Sequence, residues 1–285
     1  CIMRWQGRRQ SSNVEDRRNV GQQVVVGGGL LTLAIMVAAM AFPDLVPVLR
    51  LFEGPPVAAQ RQAAPGKPIN DEMSAFLRTI VADNEDVWAK LFPQSFGRNF
   101  TPAKLVMFTA RVQSRCGTAD AGAGPFYCPL DRTVYIDPTF YEELKRRFGA
   151  PGDFAQAYVI AHEFGHHVQN LLGITDRVQS LQTRLSKTDY NKMSVRLELQ
   201  ADFLAGVWAH HIARYAGILD EEDILEAVNA AAAIGDDRIQ KQAQGYVVPD
   251  AFTHGSSEQR VRWFLYGLKE GDPALMERAF EVDSP

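Results

Sequence analysis

The sequence predicts an α+β protein, mostly helical with a small sheet, preceded by one transmembrane helix. Three observations predict it: an early uncharged apolar run, two short β-branched and aromatic segments, and helical patterning in everything after Pro138. Of 285 residues, 46% are hydrophobic and 22% charged, which excludes a disordered or collagen-like chain. Three cysteines are too few for a disulfide scaffold. The net charge of -4 gives no case for nucleic-acid binding.

Residues 1–23 read as a basic head, in which Arg4, Arg8, Arg9, Arg17 and Arg18 stand against Glu15 and Asp16. Residues 24–42 carry no charge, and Thr32 is their only polar side chain. At about 1.5 Å per residue the run reaches about 28 Å, enough to cross a hydrocarbon core of about 30 Å. Arginines before such a run predict a single-pass protein held in the lipid bilayer by residues 24–42. Its N-terminus would be cytoplasmic and its body periplasmic or extracellular. Ala39-Met40-Ala41 has the small-x-small form of a signal-peptide cleavage site, but signal h-regions are usually about 7–15 residues, shorter than this run.

Residues 43–69, rich in Pro, Ala and Gln, read as an extended linker. The body is residues 70–285. Asn70 is placed to cap a helix bearing Met73, Phe76, Leu77, Ile80 and Val81, and a second apolar cluster, Val87 to Phe92, stops at Pro93. Residues 104–110 and 133–137 read as strands joined by a Gly-rich loop. That loop holds Cys116 and Cys128. In an exported body the pair reads as a disulfide pinning the loop, with two free thiols as the alternative. Cys1 is left over.

After Pro138, Asp153 is placed to cap a helix reaching Leu172, with Gly173 as its stop. A long helix runs from about Asn191 to Ala216 before Gly217, and Asp220 opens another. Ser256 and Gln259 have capping-box spacing, and Asp272-Pro273 starts a last short helix.

The residues with the most chemistry are His162-Glu163-Phe164-Gly165-His166. A four-residue spacing on a helix brings both imidazoles to one face, within reach of one zinc. Glu163 lies beside that seam, where it can act on water. A catalytic zinc needs a third protein ligand and an open fourth position. Leu172 occupies the place where one class of enzymes has a third histidine. The other main class takes a glutamate from a following helix, and Glu198 fits, with Asp202 one turn on as acceptor of a ligand imidazole N–H, that of His162. An ordinary exposed acidic pair on the polar side of that helix is the alternative.

These two stretches, His162 to His166 followed by Glu198-Leu199-Gln200-Ala201-Asp202, resemble the gluzincin type of zinc metallopeptidase. Over essentially its full length the chain resembles the bacterial putative neutral zinc metallopeptidases, the YpfJ-like family. Met3-Arg4-Trp5, Gly124-Pro125-Phe126-Tyr127-Cys128-Pro129, Ile234-Gly235-Asp236-Asp237 and His254-Gly255-Ser256-Ser257-Glu258-Gln259-Arg260 carry that likeness. The resemblance implies a zincin-like body that acts on a peptide or protein substrate.

In the expected chemistry one zinc per chain, held by His162, His166 and Glu198, activates a water. Glu163 takes its proton and passes it to the leaving amine. His254 and Arg260 are candidates to stabilise the developing oxyanion. His167 reads as structural, and His210 and His211 as surface residues near a helix end. Asp236 and Asp237 follow Gly235 in a turn. Two rival readings are a zinc-binding membrane scaffold without turnover and a zinc amidase acting on cell-wall material. A purely structural zinc site would not need Glu163.

Overall fold

The computed structural model describes residues 3–18, 71–146, 149–217, 219–282 and 285. The expected transmembrane helix at 24–42 and the linker at 43–69 lie outside these residues. Among the described residues no helix is long and apolar enough to cross a membrane.

In chain order the first elements are β1 (Val14–Asp16), α1 (Glu72–Phe96), β2 (Lys104–Met107), β3 (Arg111–Ser114), β4 (Gly117–Asp120), β5 (Phe126–Cys128) and β6 (Thr133–Ile136). Helices follow: α2 (Thr139–Arg146), α3 (Asp153–Leu171), α4 (Ile174–Gln179), α5 (Lys187–Ala216), α6 (Glu221–Ala233), α7 (Asp236–Gln244), α8 (Ser257–Glu270) and α9 (Arg278–Glu281). The protein is thus mostly helical with a small sheet, as the sequence predicts.

The main sheet has the order β1-β2-β6-β5, with β1, β2 and β6 parallel and β5 antiparallel. Strand alternation splits its side chains between two cores. Leu105, Met107, Val134 and Ile136 join the large core built with α1, α3 and α5. Val106, Phe108 and Tyr135 face the other way, into a small cluster with Val112 and Cys128. The Gly-rich connection is not an open loop: β3 and β4 form an antiparallel hairpin in it. The Cys116–Cys128 disulfide ties that hairpin to β5.

The N-terminal residues correct the expectation of a separate basic head. Val14 pairs with Leu105 and Asp16 with Met107, so β1 is an edge strand of the body's own sheet. Met3 and Trp5 are only 1% and 7% exposed within the large core. The apolar side chains among the arginines, which a charge count ignores, drive this docking.

Helix boundaries show which groups hold the metal helices. Asp71 caps α1, its carboxylate accepting the Ser74 N–H, whereas Asn70 lies outside the described residues. Pro93 does not stop α1. It sits in the last turn, where its missing N–H forfeits a single hydrogen bond, and the helix ends at Gly97 in the left-handed conformation. Asp153 does not cap α3: it accepts the Trp5 indole N–H, and the Phe154 N–H is taken by Glu226 from α6. The long helix starts earlier than Asn191, because Ser186 caps it through the Asp189 N–H. The Ser256–Gln259 capping box forms in both directions.

Backbone contact fixes α8 against α5. A Cβ on Gly206 would come 2.0 Å from the Phe264 carbonyl oxygen, and one on Gly267 would come 1.9 Å from that of Phe203. Only glycine at both positions permits this approach, and it brings Arg260 of α8 behind the metal helices.

Candidate metal centre

Helices α3 and α5 cross at Gly165. A Cβ there would lie 2.9 Å from the Ala201 carbonyl oxygen, so the glycine inside the His-Glu-Phe-Gly-His run sets how closely the two helices pack. At this crossing His162 and His166 of α3 meet Glu198 of α5. One potential ligand atom from each lies within 4.8 Å of the others.

The hydrogen bonds behind these atoms define what the centre accepts. His162 donates its Nδ1–H to Asp202 at 2.8 Å, which turns Nε2 toward Glu198 Oε2 at 3.2 Å. His166 donates Nδ1–H to Gln169 Oε1 at 2.8 Å and turns Nε2 toward Glu198 Oε1 at 3.4 Å. Gln169 can serve only as acceptor there, because its amide N–H groups go to the Leu197 carbonyl and to Gln200. Two imidazole Nε2 atoms and the Glu198 carboxylate therefore converge, and a positive charge between them, a proton or a metal cation, balances the carboxylate. Two histidines, a carboxylate and acceptors on the far ring nitrogens form the donor set of a catalytic zinc site, and the residues fit that metal.

The electrostatics run the same way. Burial pulls His162 down, but Asp202 and Glu198 outweigh it and push its pKa up to about 10. His166 is also raised, against burial, by Glu198. Burial favours the neutral form of Glu198, yet His166 and His162 hold it well below the usual carboxylate range. Both imidazoles thus attract a positive charge, whether a proton or a metal.

Asp202 is wholly buried and fully engaged. Besides His162, it accepts the Tyr158 hydroxyl at 2.5 Å and two Arg260 N–H groups at 2.9 and 3.0 Å. Burial raises its pKa, and Arg260 and His162 more than offset that, so it stays ionised. This geometry corrects the expectation for Arg260. Its guanidinium, 2% exposed, forks onto Asp202 behind His162 and is not free to meet an oxyanion.

Glu163 is buried beside the two histidines, and its carboxylate has no hydrogen-bond partner among the described residues. Burial raises its pKa, opposed by His166 and His162. His254 has its pKa raised against burial by the bond to Asp236, and the Glu198 charge adds to the rise. Its side chain is 52% exposed. Asp236 is not in a simple turn: it opens α7, accepts the N–H groups of Thr253 and His254 at 2.6 Å each, and accepts His254 Nδ1–H at 3.2 Å. Asp237 instead caps α8 at Ser257.

The other histidines are structural. His167 bonds Tyr127 and the Thr101 carbonyl, while His210 and His211 donate to the Leu268 and Gly271 carbonyls. A separate cleft of about 380 Å³, lined in part by Glu15, Arg17, Lys104, Arg115 and Asp131, opens on the outer side of the sheet and holds none of the metal-centre residues. Sequence reasoning missed Tyr158 and Gln169. Their offsets, one turn before His162 and three residues after His166, were the available signal.

Comparison with known proteins agrees with this chemistry. The family described as "Putative neutral zinc metallopeptidase" matches residues 3–278. The uncharacterized protein YpfJ of Escherichia coli is 48% identical over 282 residues, covering 95% of this chain and 97% of that protein. An uncharacterized protein of Mycobacterium tuberculosis is 40% identical over 218 residues, 72% of this chain and 71% of its own length. No solved structure matches the chain.

Proposed function

Because this chain belongs to the putative neutral zinc metallopeptidase family, we propose that it is a membrane-associated enzyme that hydrolyses peptide bonds, with Glu163 as general base. The observation that carries the reading is the convergence of His162 Nε2, His166 Nε2 and Glu198 with their far sides already committed to acceptors. One zinc per chain, when bound, supplies the Lewis acidity that makes water a nucleophile near pH 7.

The chain's own residues do the rest. His162, His166 and Glu198 would hold the metal. Asp202 orients the His162 ring, and Gln169 that of His166. Glu163, with its pKa raised by burial, takes the proton of the attacking water at its carboxylate and delivers it to the leaving amine nitrogen. His254, held by Asp236 and open to solvent on its other side, donates to the carbonyl oxygen as negative charge develops there. The substrates are peptides or proteins, and nucleic acid is not a partner. Residues 24–42 supply bilayer contact. The Cys116–Cys128 bond supports a body outside the cytoplasm, where disulfides persist.

Glu163→Gln tests the mechanism. The variant should keep its zinc, measured by metal analysis, and lose about 10²–10⁴-fold in kcat on a cleaved peptide from a library. A His162→Ala, His166→Ala double variant should lose the metal itself. Equal activity in wild type and Glu163→Gln, both zinc-loaded, would favour a non-catalytic zinc scaffold.

A further inference from the structure

The five arginines near the N-terminus suggest a cytoplasmic head only if they are free charges. Four of them are spent on ion pairs. Arg8 meets Asp83 at 2.8 Å, and Arg9 meets both Glu85 and Asp86 at 2.9 Å, all on α1. Arg17 pairs with Glu15, and Arg18 with Asp16 and Asp71. Arg4 hydrogen-bonds the Gly217 carbonyl at the end of α5. The acidic body and the basic head are two halves of one interface.

Apolar and backbone contacts reinforce the charges. Trp5 packs edge-on against Phe76, and its indole N–H reaches Asp153, the first residue of the helix that carries His162 and His166. Ser11 and Asn13 donate to Glu85 Oε1 at 2.6 Å each. The β1 ladder adds a strand to the edge of the sheet. Finally, Arg18 and Asp71, the described residues on either side of the intervening stretch 19–70, are joined at 2.9 Å. The chain leaves the body and returns to it at one place.

We infer that residues 3–18 are an integral part of the metallopeptidase body and lie on the same side of any bilayer as its metal centre. A chain fixed to one body at both ends of an excursion can cross a bilayer only an even number of times. This replaces the single crossing with a cytoplasmic N-terminus that the positive-inside rule suggested, and it does not depend on zinc chemistry. The rule weighs arginines as free charges at the moment of insertion. Here the fold pairs Arg8 and Arg9 with carboxylates of α1, and Arg17 and Arg18 with Glu15, Asp16 and Asp71.

Thiol labelling of the full chain tests this. In a Cys1→Ser background, Ser12→Cys and Lys192→Cys place single reporters at exposed positions of the N-terminal segment and of α5. In one preparation of sealed vesicles, a membrane-impermeant maleimide should label both variants or neither, and both after permeabilisation. Labelling of one reporter with protection of the other would overturn the inference. A second measurement uses a specific protease site introduced between 43 and 69. After cleavage in mild detergent, the N-terminal fragment should co-elute with the body and separate only in denaturant. Separation without denaturant would equally overturn it.

Discussion

Helix α3 presents neighbouring histidines to two different environments. His162 and His166 face α5 and α8, where carboxylates and an arginine are packed. His167 faces the sheet, between Tyr127 of β5 and the Thr101 carbonyl. All are taken out of water, and burial alone lowers a histidine's pKa. On the sheet side little opposes it: burial brings His167 to about 4, and the Thr101 carbonyl recovers only part of the loss. Its Nε2–H donates to that carbonyl and its Nδ1 accepts the Tyr127 hydroxyl, so a neutral ring satisfies both. On the helical side the same burial is overcome by Asp202 and Glu198, and His162 rises to about 10. The difference lies in where carboxylates are placed. A closed pair of hydrogen bonds makes a structural histidine, and ring nitrogens converging on buried acids make a candidate metal ligand.

The contrast breaks most severely at Arg260. Arg260→Ala leaves the Asp202 carboxylate buried with its main countercharge gone, which typically costs about 3–5 kcal/mol. Urea denaturation should report a loss of that size, and a loss below about 1 kcal/mol would mean that Tyr158 and His162 suffice to hold Asp202.

Next in size is a pH effect confined to the sheet side. Between pH 6.5 and about 4 the unfolded chain protonates His167 and the folded chain does not. Its stabilising contribution is therefore complete above pH 6.5 and is lost as pH falls toward 4, about 3 kcal/mol in all. His167→Gln should flatten the stability curve across that window. The comparison uses chelator-treated protein, so that metal release does not contribute. Parallel curves for the two proteins would assign the acid sensitivity elsewhere.

Asp202→Asn sharpens the helical side. The amide keeps its shape but orients the His162 ring less firmly, and zinc affinity should fall about 10–100-fold in competition with a chelator. Unchanged affinity would show that His162 is held by packing alone. The smallest effect belongs to the exposed rim of the N-terminal interface. Arg9→Ala removes bonds to Glu85 and Asp86, but the arginine is half exposed, so at most about 1 kcal/mol should be lost in thermal unfolding.

Much of the candidate metal centre's geometry was legible in the sequence, since it depends on local spacing. His162 and His166 share a face because of the helical repeat, and Glu198 and Asp202 do so for the same reason. Ser256–Gln259 and Gly217 are equally local signals, and both appear where expected. The β3–β4 hairpin was not legible, because its strand Gly117–Asp120 is mostly exposed and carries no apolar alternation. Arg260 was misassigned for a related reason. Its neighbourhood in sequence suggests a site residue, but its direction is set by the glycine contact between α5 and α8.

The sequence by itself determined the helical majority, the caps at Gly217, Asp220 and Ser256, and the pairing of His162 with His166 and of Glu198 with Asp202 on single helix faces, all of which follow from interactions within about one turn of chain. Tertiary structure alone decided that Asp202 is shared by Tyr158, His162 and Arg260. It also decided that His254 is held by Asp236, and that the arginines before residue 19 belong to the body. Most of these are polar groups meeting partners across a long stretch of chain, as in Arg260 with Asp202 and Arg8 with Asp83. Such pairing depends on which surfaces hydrophobic burial has already brought together, and no periodicity in the sequence records it.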